Sequence, residues 1–189
     1  LENGIIQENK YLEVMLLKSP SRDISGINQI TILTSPHPDD QDFSCKHDCF
    51  YCPNEPAHEG NNWTPQPRSY LFSEPAVQRA NRNKFDAFSQ TIDRLSSLLI
   101  CGHKCDKLEF ILEGGTFTEY PKPYLERFFR DFIYACNVFY DTLKTDKQLR
   151  EPKSLKEEIQ INENARCKII GICIETRPDA ILEKDQDGI

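Results

Sequence analysis

The chain has 189 residues, of which 38% are apolar and 28% are charged, and its formal net charge is −7. This length allows one domain with a hydrophobic core, and the composition is typical of a globular protein. The sequence excludes a membrane span, because no apolar run approaches the roughly 20 residues that a span requires. The negative charge excludes a uniformly basic nucleic-acid-binding protein.

The N-terminal third combines a lead-in, one strand and a long loop. Residues 1–26 lack the basic and apolar regions of a secretion signal, and residues 11–18 within them can form a short helix. A β-branched run at residues 27–34 predicts the first strand. Residues 35–67 are polar and contain three cysteines. Because so long a loop in a compact domain is usually functional or disordered, the cysteines favour a functional loop.

Helical and strand patterns alternate along the rest of the chain. The predicted elements are a helical stretch at 74–100 with a break near Asp86, a strand at 107–112, a helix at 124–140, an exposed charged helix or insertion at 141–166, and a strand at 168–174. This order predicts an α/β fold, specifically a partial parallel (βα) barrel. Carboxyl ends of parallel strands share one edge, where ligands bind, so motifs following each strand are expected to form one site.

The first of these motifs is a C-x₃-C-x₂-C string formed by Cys45, Cys49 and Cys52. Short cysteine spacings of this kind hold iron–sulfur clusters, and three thiolates would leave the fourth iron of a cubane free for a small molecule. The alternative is a structural zinc site whose fourth ligand is one of three histidines, His37, His47 or His58. The other five cysteines lie in or near apolar runs, which favours free thiols in a reducing compartment, hence the cytosol.

The second and third motifs follow the later strands. Gly114 and Gly115, with Thr116, allow close backbone approach to a ligand, although a tight turn gives the same pattern. Glu175 is suited to accept hydrogen bonds from a ribose, and Arg177 to pair with a carboxylate. A mutual Glu175–Arg177 ion pair is the alternative.

Basic residues interleaved with aromatic residues occupy the region between Pro67 and Arg94. Such a pattern allows bases to stack while the basic groups meet phosphates, although a solvated amphipathic helix is the alternative. The candidate nucleic-acid-binding residues are Arg68, Arg79, Arg82 and Lys84.

The motifs together resemble those of a known family. The cysteine motif, with Tyr51 directly before Cys52, resembles the radical S-adenosylmethionine superfamily. From about residue 19 to the end, the order and spacing of further motifs resemble the catalytic subunit of Elongator. The motifs that carry this resemblance include Ser35-Pro-His37, Glu74-Pro-Ala76, Gly114-Gly-Thr-Phe117 and Glu175-Thr-Arg-Pro-Asp179.

This resemblance implies a function. Members of the family install a carboxymethyl-type group on carbon 5 of the tRNA wobble uridine, using acetyl-CoA. By resemblance, Cys45, Cys49 and Cys52 hold a 4Fe-4S cluster, and S-adenosylmethionine binds its open iron and is cleaved to a 5′-deoxyadenosyl radical. Tyr51 would lie against the adenine, and Gly114, Gly115 and Thr116 would contact the methionine moiety. The implied partners are tRNA and other Elongator-type subunits, with no membrane.

Two departures from the family pattern accompany the resemblance. In eukaryotic members the first cysteine lies ten residues before the second; here that position is Asp39, and Cys45 supplies the shorter spacing general to the superfamily. The chain also ends soon after its third strand. We therefore expect a lead-in at 1–26, a partial radical S-adenosylmethionine domain at 27–189 and no acetyltransferase domain. A fragment, truncated product or relic would fit that organisation. The alternative function is a non-catalytic, metal-clipped fragment that binds tRNA or a partner subunit.

Overall fold

A parallel three-stranded sheet forms the centre of the fold. The computed structural model describes residues 10–16, 25–39, 41, 44–144 and 148–185. The strands are β1 (Asn28–Leu33), β2 (Lys107–Glu113) and β3 (Lys168–Ile174), in the order β1-β2-β3. Both neighbouring pairs are parallel. All three strands lie where the sequence predicts them, and the α/β class is confirmed.

Helices accompany these strands along the chain. They are α1 (Lys10–Leu16), α2 (Pro75–Arg82), α3 (Ala87–Ile100), α4 (Lys122–Thr142), α5 (Leu155–Asn162) and α6 (Pro178–Asp185). Of these, α3 and α4 pack against one face of the sheet. The predicted first helix extended to residue 18, and its last two positions lie outside the described residues. In the part of the chain that is described, none of the helices combines the length and apolarity needed to cross a membrane.

The predicted break near Asp86 separates α2 from α3. Lys84 and Phe85 have φ angles of 52° and 56°, a left-handed conformation that a helix does not continue through. The Asp86 side chain then accepts a hydrogen bond of 2.8 Å from the Ser89 N–H. This N-cap satisfies one of the free donors at the start of α3 and fixes where the second helix begins.

The hydrophobic core lies between the sheet and the pair α3 and α4. The rings of Phe110 on β2 and Phe132 on α4 stack with their centroids 4.6 Å apart. Because successive strand residues point to opposite faces, the residues that alternate with this core lie on the other face. That second face is less buried, and Glu109, Ile111 and Glu113 of β2 lie on it.

The charged segment at 141–166, expected to be exposed, is partly buried. Glu158 on α5 has no exposed surface. Its two carboxylate oxygens accept hydrogen bonds of 2.6 Å each from the Arg150 guanidinium, and Asn137 of α4 donates a third at 2.8 Å. A buried carboxylate requires such partners, and they fasten α5 to α4.

Candidate functional site

A cavity opens at the carboxyl ends of the three strands. Its walls are the loop after β1, the turn after β2 and the residues after β3, as parallel strands predict. The structure brings all the residues predicted to bind metal or cofactor around this one cavity. They are Cys45, Cys49, Tyr51, Cys52, Gly114, Gly115, Thr116, Glu175 and Arg177.

Two of the three thiols contact polar groups on the opposite walls. The Cys45 Sγ lies 3.0 Å from the Thr116 hydroxyl, which follows β2. The Cys49 Sγ accepts a hydrogen bond of 2.8 Å from the Arg177 guanidinium, which follows β3. The cysteine loop is thereby linked to the ends of both neighbouring strands.

The third thiol is contacted by its own loop. After Cys52 the chain turns away from the cavity and comes back to it at Ser69. The Ser69 N–H donates a hydrogen bond of 3.1 Å to the Pro53 carbonyl, which closes this excursion. The Ser69 hydroxyl then donates to the Cys52 Sγ at 3.0 Å. Residues 53–69 therefore form a closed loop with its base at the cavity.

Two glycines at the end of β2 allow the cysteine loop to lie directly against the strand. A Cβ atom at Gly114 would lie 1.9 Å from the Thr34 hydroxyl, and one at Gly115 would lie 1.9 Å from the Ser44 carbonyl oxygen. Gly114 also has a φ of 153°, which disfavours other residues. The Gly115 N–H donates to the Tyr120 hydroxyl at 2.7 Å, which fixes the turn.

The polar side chains after β3 have separate partners. The Tyr70 hydroxyl donates to a Glu175 carboxylate oxygen at 2.6 Å, and burial together with this bond raises the pKa of Tyr70. Arg177 forms a two-pronged ion pair with Asp179, with N–O distances of 3.0 and 2.6 Å. These hydrogen bonds lower the pKa of Asp179 to about 2. The contacts of Glu175 and Arg177 therefore run to other residues, and the predicted mutual ion pair is not observed.

Two of the three histidines considered as zinc ligands, His47 and His58, are engaged elsewhere. His47 lines the cavity, but its Nε2 atom lies 3.0 Å from a Glu119 carboxylate oxygen. The Nε2 atom of His58 lies 2.9 Å from the Glu55 carboxylate. Over the described ranges, no three His, Cys, Asp or Glu side chains converge on a point that could hold one metal ion. A structural zinc ion needs four ligands at about 2.0–2.3 Å, and the Nε2 atoms of His47 and His58 contact carboxylates instead.

Asp39, at the position of the first cysteine in the eukaryotic pattern, takes no part in the cavity lining. It forms an ion pair with Arg127 of α4. Cys45, in contrast, is buried and lines the cavity. The shorter cysteine spacing is therefore the one that places three thiols at the site.

Two of the predicted nucleic-acid-binding residues make internal contacts. Arg68 is buried, lines the cavity and forms a 3.0 Å ion pair with Asp48. Arg79 of α2 donates to the Thr31 carbonyl of β1 at 2.8 Å, and burial lowers its pKa. These contacts attach the cysteine loop and α2 to the fold.

The other two predicted residues lie at the surface. The Arg82 side chain is 66% exposed and lies 3.6 Å from the Asp93 carboxylate, a contact that is weak at this exposure. Lys84 is exposed. Arg82 and Lys84 are therefore the members of the predicted set that can reach a phosphate backbone.

Three cavity residues are not among the predicted site residues. Ser69 and Tyr70 contact Cys52 and Glu175 across 17 and 105 sequence positions, a separation that no local pattern reveals. The third is Thr176, whose buried hydroxyl oxygen has no hydrogen-bond partner among the described residues. Because buried polar atoms are normally paired, Thr176 indicates room for a polar ligand group.

Comparison with known proteins gives consistent relatives. No family model matches the chain. It is 36% identical over 180 residues to tRNA uridine(34) acetyltransferase of Methanocaldococcus infernus, covering 95% of this chain and 30% of the relative. It is 33% identical over 184 residues to Elongator complex protein 3 of Homo sapiens, covering 94% of this chain and 30% of the relative.

A solved structure supports the same relationship. The archaeal Methanocaldococcus infernus Elp3 with an N-terminus deletion matches with a TM-score of 0.54 at 26% sequence identity, over 86% of this chain and 25% of that one. The chain thus spans less than a third of the length of the relatives it matches.

Proposed function

The chain belongs to the family of tRNA uridine(34) acetyltransferases and Elongator complex protein 3, and we propose that it forms the radical S-adenosylmethionine part of such an enzyme. In this proposal Cys45, Cys49 and Cys52 hold a 4Fe-4S cluster whose open iron binds S-adenosylmethionine. The observation that carries it is that the three thiols line the same cavity as the predicted cofactor residues from two other strand ends.

The residues present fit this cofactor pair. Each thiol lies within 3.0 Å of a hydroxyl or guanidinium, and such contacts stabilise a sulfur that carries negative charge. The unpartnered Thr176 hydroxyl is available to a polar ligand group. When bound, the cluster and S-adenosylmethionine supply the one-electron chemistry.

The protein's own part is binding and orientation. Tyr51 is exposed beside the cysteines, and in the proposal it packs against the adenine. In the proposal Gly114, Gly115 and Thr116, which line the cavity, contact the methionine moiety through their backbone. Glu175 accepts hydrogen bonds from the ribose, and its bond from Tyr70 holds the carboxylate in place.

The proposed substrate and partners are those of the longer enzymes to which the chain is related. The names of the relatives support modification of the tRNA wobble uridine, and we infer a carboxymethyl-type group added at carbon 5 with acetyl-CoA as donor. The eukaryotic relatives are named for the Elongator complex, so the proposed partners are tRNA and Elongator-type subunits in the cytoplasm.

Anaerobic reconstitution with iron and sulfide tests the proposal. We expect about four irons per chain and a 4Fe-4S electron paramagnetic resonance signal that changes on adding S-adenosylmethionine. Cys49→Ala should lose the cluster, whereas Cys101→Ala, which removes an exposed thiol outside the cavity, should retain it. Stoichiometric zinc without a cluster would overturn the proposal in favour of a metal-clipped binding fragment.

A further inference from the structure

Glu113 lies next to Glu175, which lines the cavity, but has no role in the proposed function, on which the following inference rests. It is the last residue of β2. Ile111 pairs with Cys173 in the sheet register, and the Glu175 N–H donates to the Leu112 carbonyl at 3.3 Å. Two residues beyond Ile111 and Cys173, Glu113 and Glu175 are therefore neighbours on the less buried face of the sheet.

The charged surroundings of Glu113 are predominantly negative. The groups that act on it are the carboxylates of Glu175 and Glu74 and the guanidinium of Arg79, and it acts in turn on the Tyr70 hydroxyl. The hydrogen bond of Arg79 goes to the Thr31 carbonyl and not to a carboxylate. Burial, with the repulsion of Glu175 and Glu74, raises the pKa of Glu113 to about 7.

Two adjacent acidic groups beside a cavity are suited to a cationic ligand. S-adenosylmethionine carries a sulfonium charge, whereas the sulfur of S-adenosylhomocysteine is neutral. We propose that Glu113 and Glu175 form a carboxylate pair that binds the positively charged sulfonium group, and that Glu113 releases its proton to solvent on binding. A positive charge nearby favours the ionised carboxyl, so binding and deprotonation are linked. The pair thereby selects the charged ligand over its neutral analogue.

Calorimetric titration of the cluster-loaded chain tests this selection. From pH 7.5 to pH 6.0 the affinity for S-adenosylmethionine should fall on the order of tenfold, as expected when one proton must be released. The affinity for S-adenosylhomocysteine should change much less. Titrations in buffers of different ionisation enthalpy should show release of about one proton at pH 6.0 by the unmodified chain.

A matched pair of variants assigns the effect to Glu113. Glu113→Gln should bind S-adenosylmethionine more weakly at pH 7.5, without the tenfold pH dependence, and should bind S-adenosylhomocysteine as the unmodified chain does. Glu109→Gln changes a carboxylate four residues earlier on the same strand, whose partner is Gln29 at 2.8 Å, and should behave as the unmodified chain.

Two results would overturn the inference, and only the second would also overturn the proposed function. If both ligands bind with equal affinity and no proton release, the carboxylate pair has no such role and the proposed function stands. If the cluster-loaded chain binds neither ligand, the proposed function falls as well.

Discussion

Gly115 and Ser44 lie so close together that a Cβ atom at position 115 would meet the Ser44 carbonyl oxygen at 1.9 Å. Ser44 directly precedes the first cysteine of the motif, and Gly115 follows β2. This approach is what positions Cys45 beside Thr116, because the loop after β1 rests directly on the backbone of the neighbouring strand end. The glycine therefore serves the placement of the cysteines as well as the turn.

Gly115→Ala should displace the cysteine loop. The new methyl group meets backbone atoms that cannot rotate away, so we expect the free energy of unfolding to fall by about 1–3 kcal/mol, as in overpacked cores. Reconstituted iron content should fall with it. Urea unfolding and iron analysis measure the two effects.

Gly171→Ala is the control for that substitution. A Cβ atom at position 171 would lie 3.6 Å from the Glu109 side chain, an ordinary contact. Its free energy of unfolding should stay within about 0.5 kcal/mol of the unmodified chain, and its iron content should be unchanged. Equal iron loading of the Gly115 and Gly171 variants would show that the close approach is not needed for the site.

Arg177 should tune the cluster through Cys49. Its guanidinium donates to the Cys49 sulfur at 2.8 Å, and a donor on a ligating thiolate stabilises the more negative, reduced cluster. Arg177→Gln should therefore lower the reduction potential of the reconstituted cluster, as measured by redox titration followed by electron paramagnetic resonance. Arg127→Gln, which removes a cation paired with Asp39, should leave the potential unchanged. Identical potentials in all three proteins would contradict a role for this contact.

The sequence predicted the framework because its signals are local. The β-branched runs, the helical spacing interrupted near Asp86 and the glycines after β2 each act within a few residues, and the structure has strands, helices and a turn at those positions. Parallel strand order then implied that the motifs share one edge. The spacing alone left the zinc and cluster alternatives open, since it does not show where His47 and His58 point.

The parts that the sequence did not predict depend on long-range contacts. The Tyr70–Glu175 hydrogen bond joins residues 105 positions apart, and the burial of Glu158 depends on Arg150 and Asn137. Arg79 illustrates the same point, because a basic residue on an amphipathic helix is indistinguishable in sequence from a surface cation. Its bond to the Thr31 carbonyl is a property of how α2 packs on β1.

Arg82 and Lys84 should contribute to tRNA binding through charge. Both are exposed, so the double substitution Arg82→Ala, Lys84→Ala should weaken binding and reduce the slope of log affinity against log salt by about 1–2. Filter binding over a salt series measures the slope. Lys156→Ala removes an exposed cation on α5 and serves as the control. An unchanged slope in the double variant would assign both residues to an ordinary solvated helix face.

Arg79 should behave differently from its surface neighbours. Arg79→Ala removes a charged donor from the Thr31 carbonyl, so the free energy of unfolding should fall by about 1.5–3 kcal/mol. The salt slope of tRNA binding should not change, because Arg79 is half-buried and its hydrogen bond is internal. Urea unfolding and the same salt series separate the two effects. A reduced slope with unchanged stability would mean that Arg79 reaches the nucleic acid.

Glu113 makes stability depend on pH without any ligand. Its pKa is about 7 in the folded protein, against about 4.3 for an ordinary glutamate. The folded state therefore favours the protonated form, and the stability it contributes is complete below about pH 4.3 and is lost as the pH rises through 7. Glu113→Gln cannot ionise, so it should be more stable than the unmodified chain at pH 8, by about 1–2 kcal/mol after allowance for partial solvent screening.

Urea unfolding at pH 5 and pH 8 measures this difference. The free energy of unfolding of Glu113→Gln should exceed that of the unmodified chain only slightly at pH 5 and by the full amount at pH 8. Glu109→Gln should match the unmodified chain at both pH values. Because no cofactor is present, the result is independent of the proposed function. Parallel pH profiles for all three proteins would mean that folding does not raise the pKa of Glu113. Glu113 would then have no proton to release on ligand binding at pH 6–7.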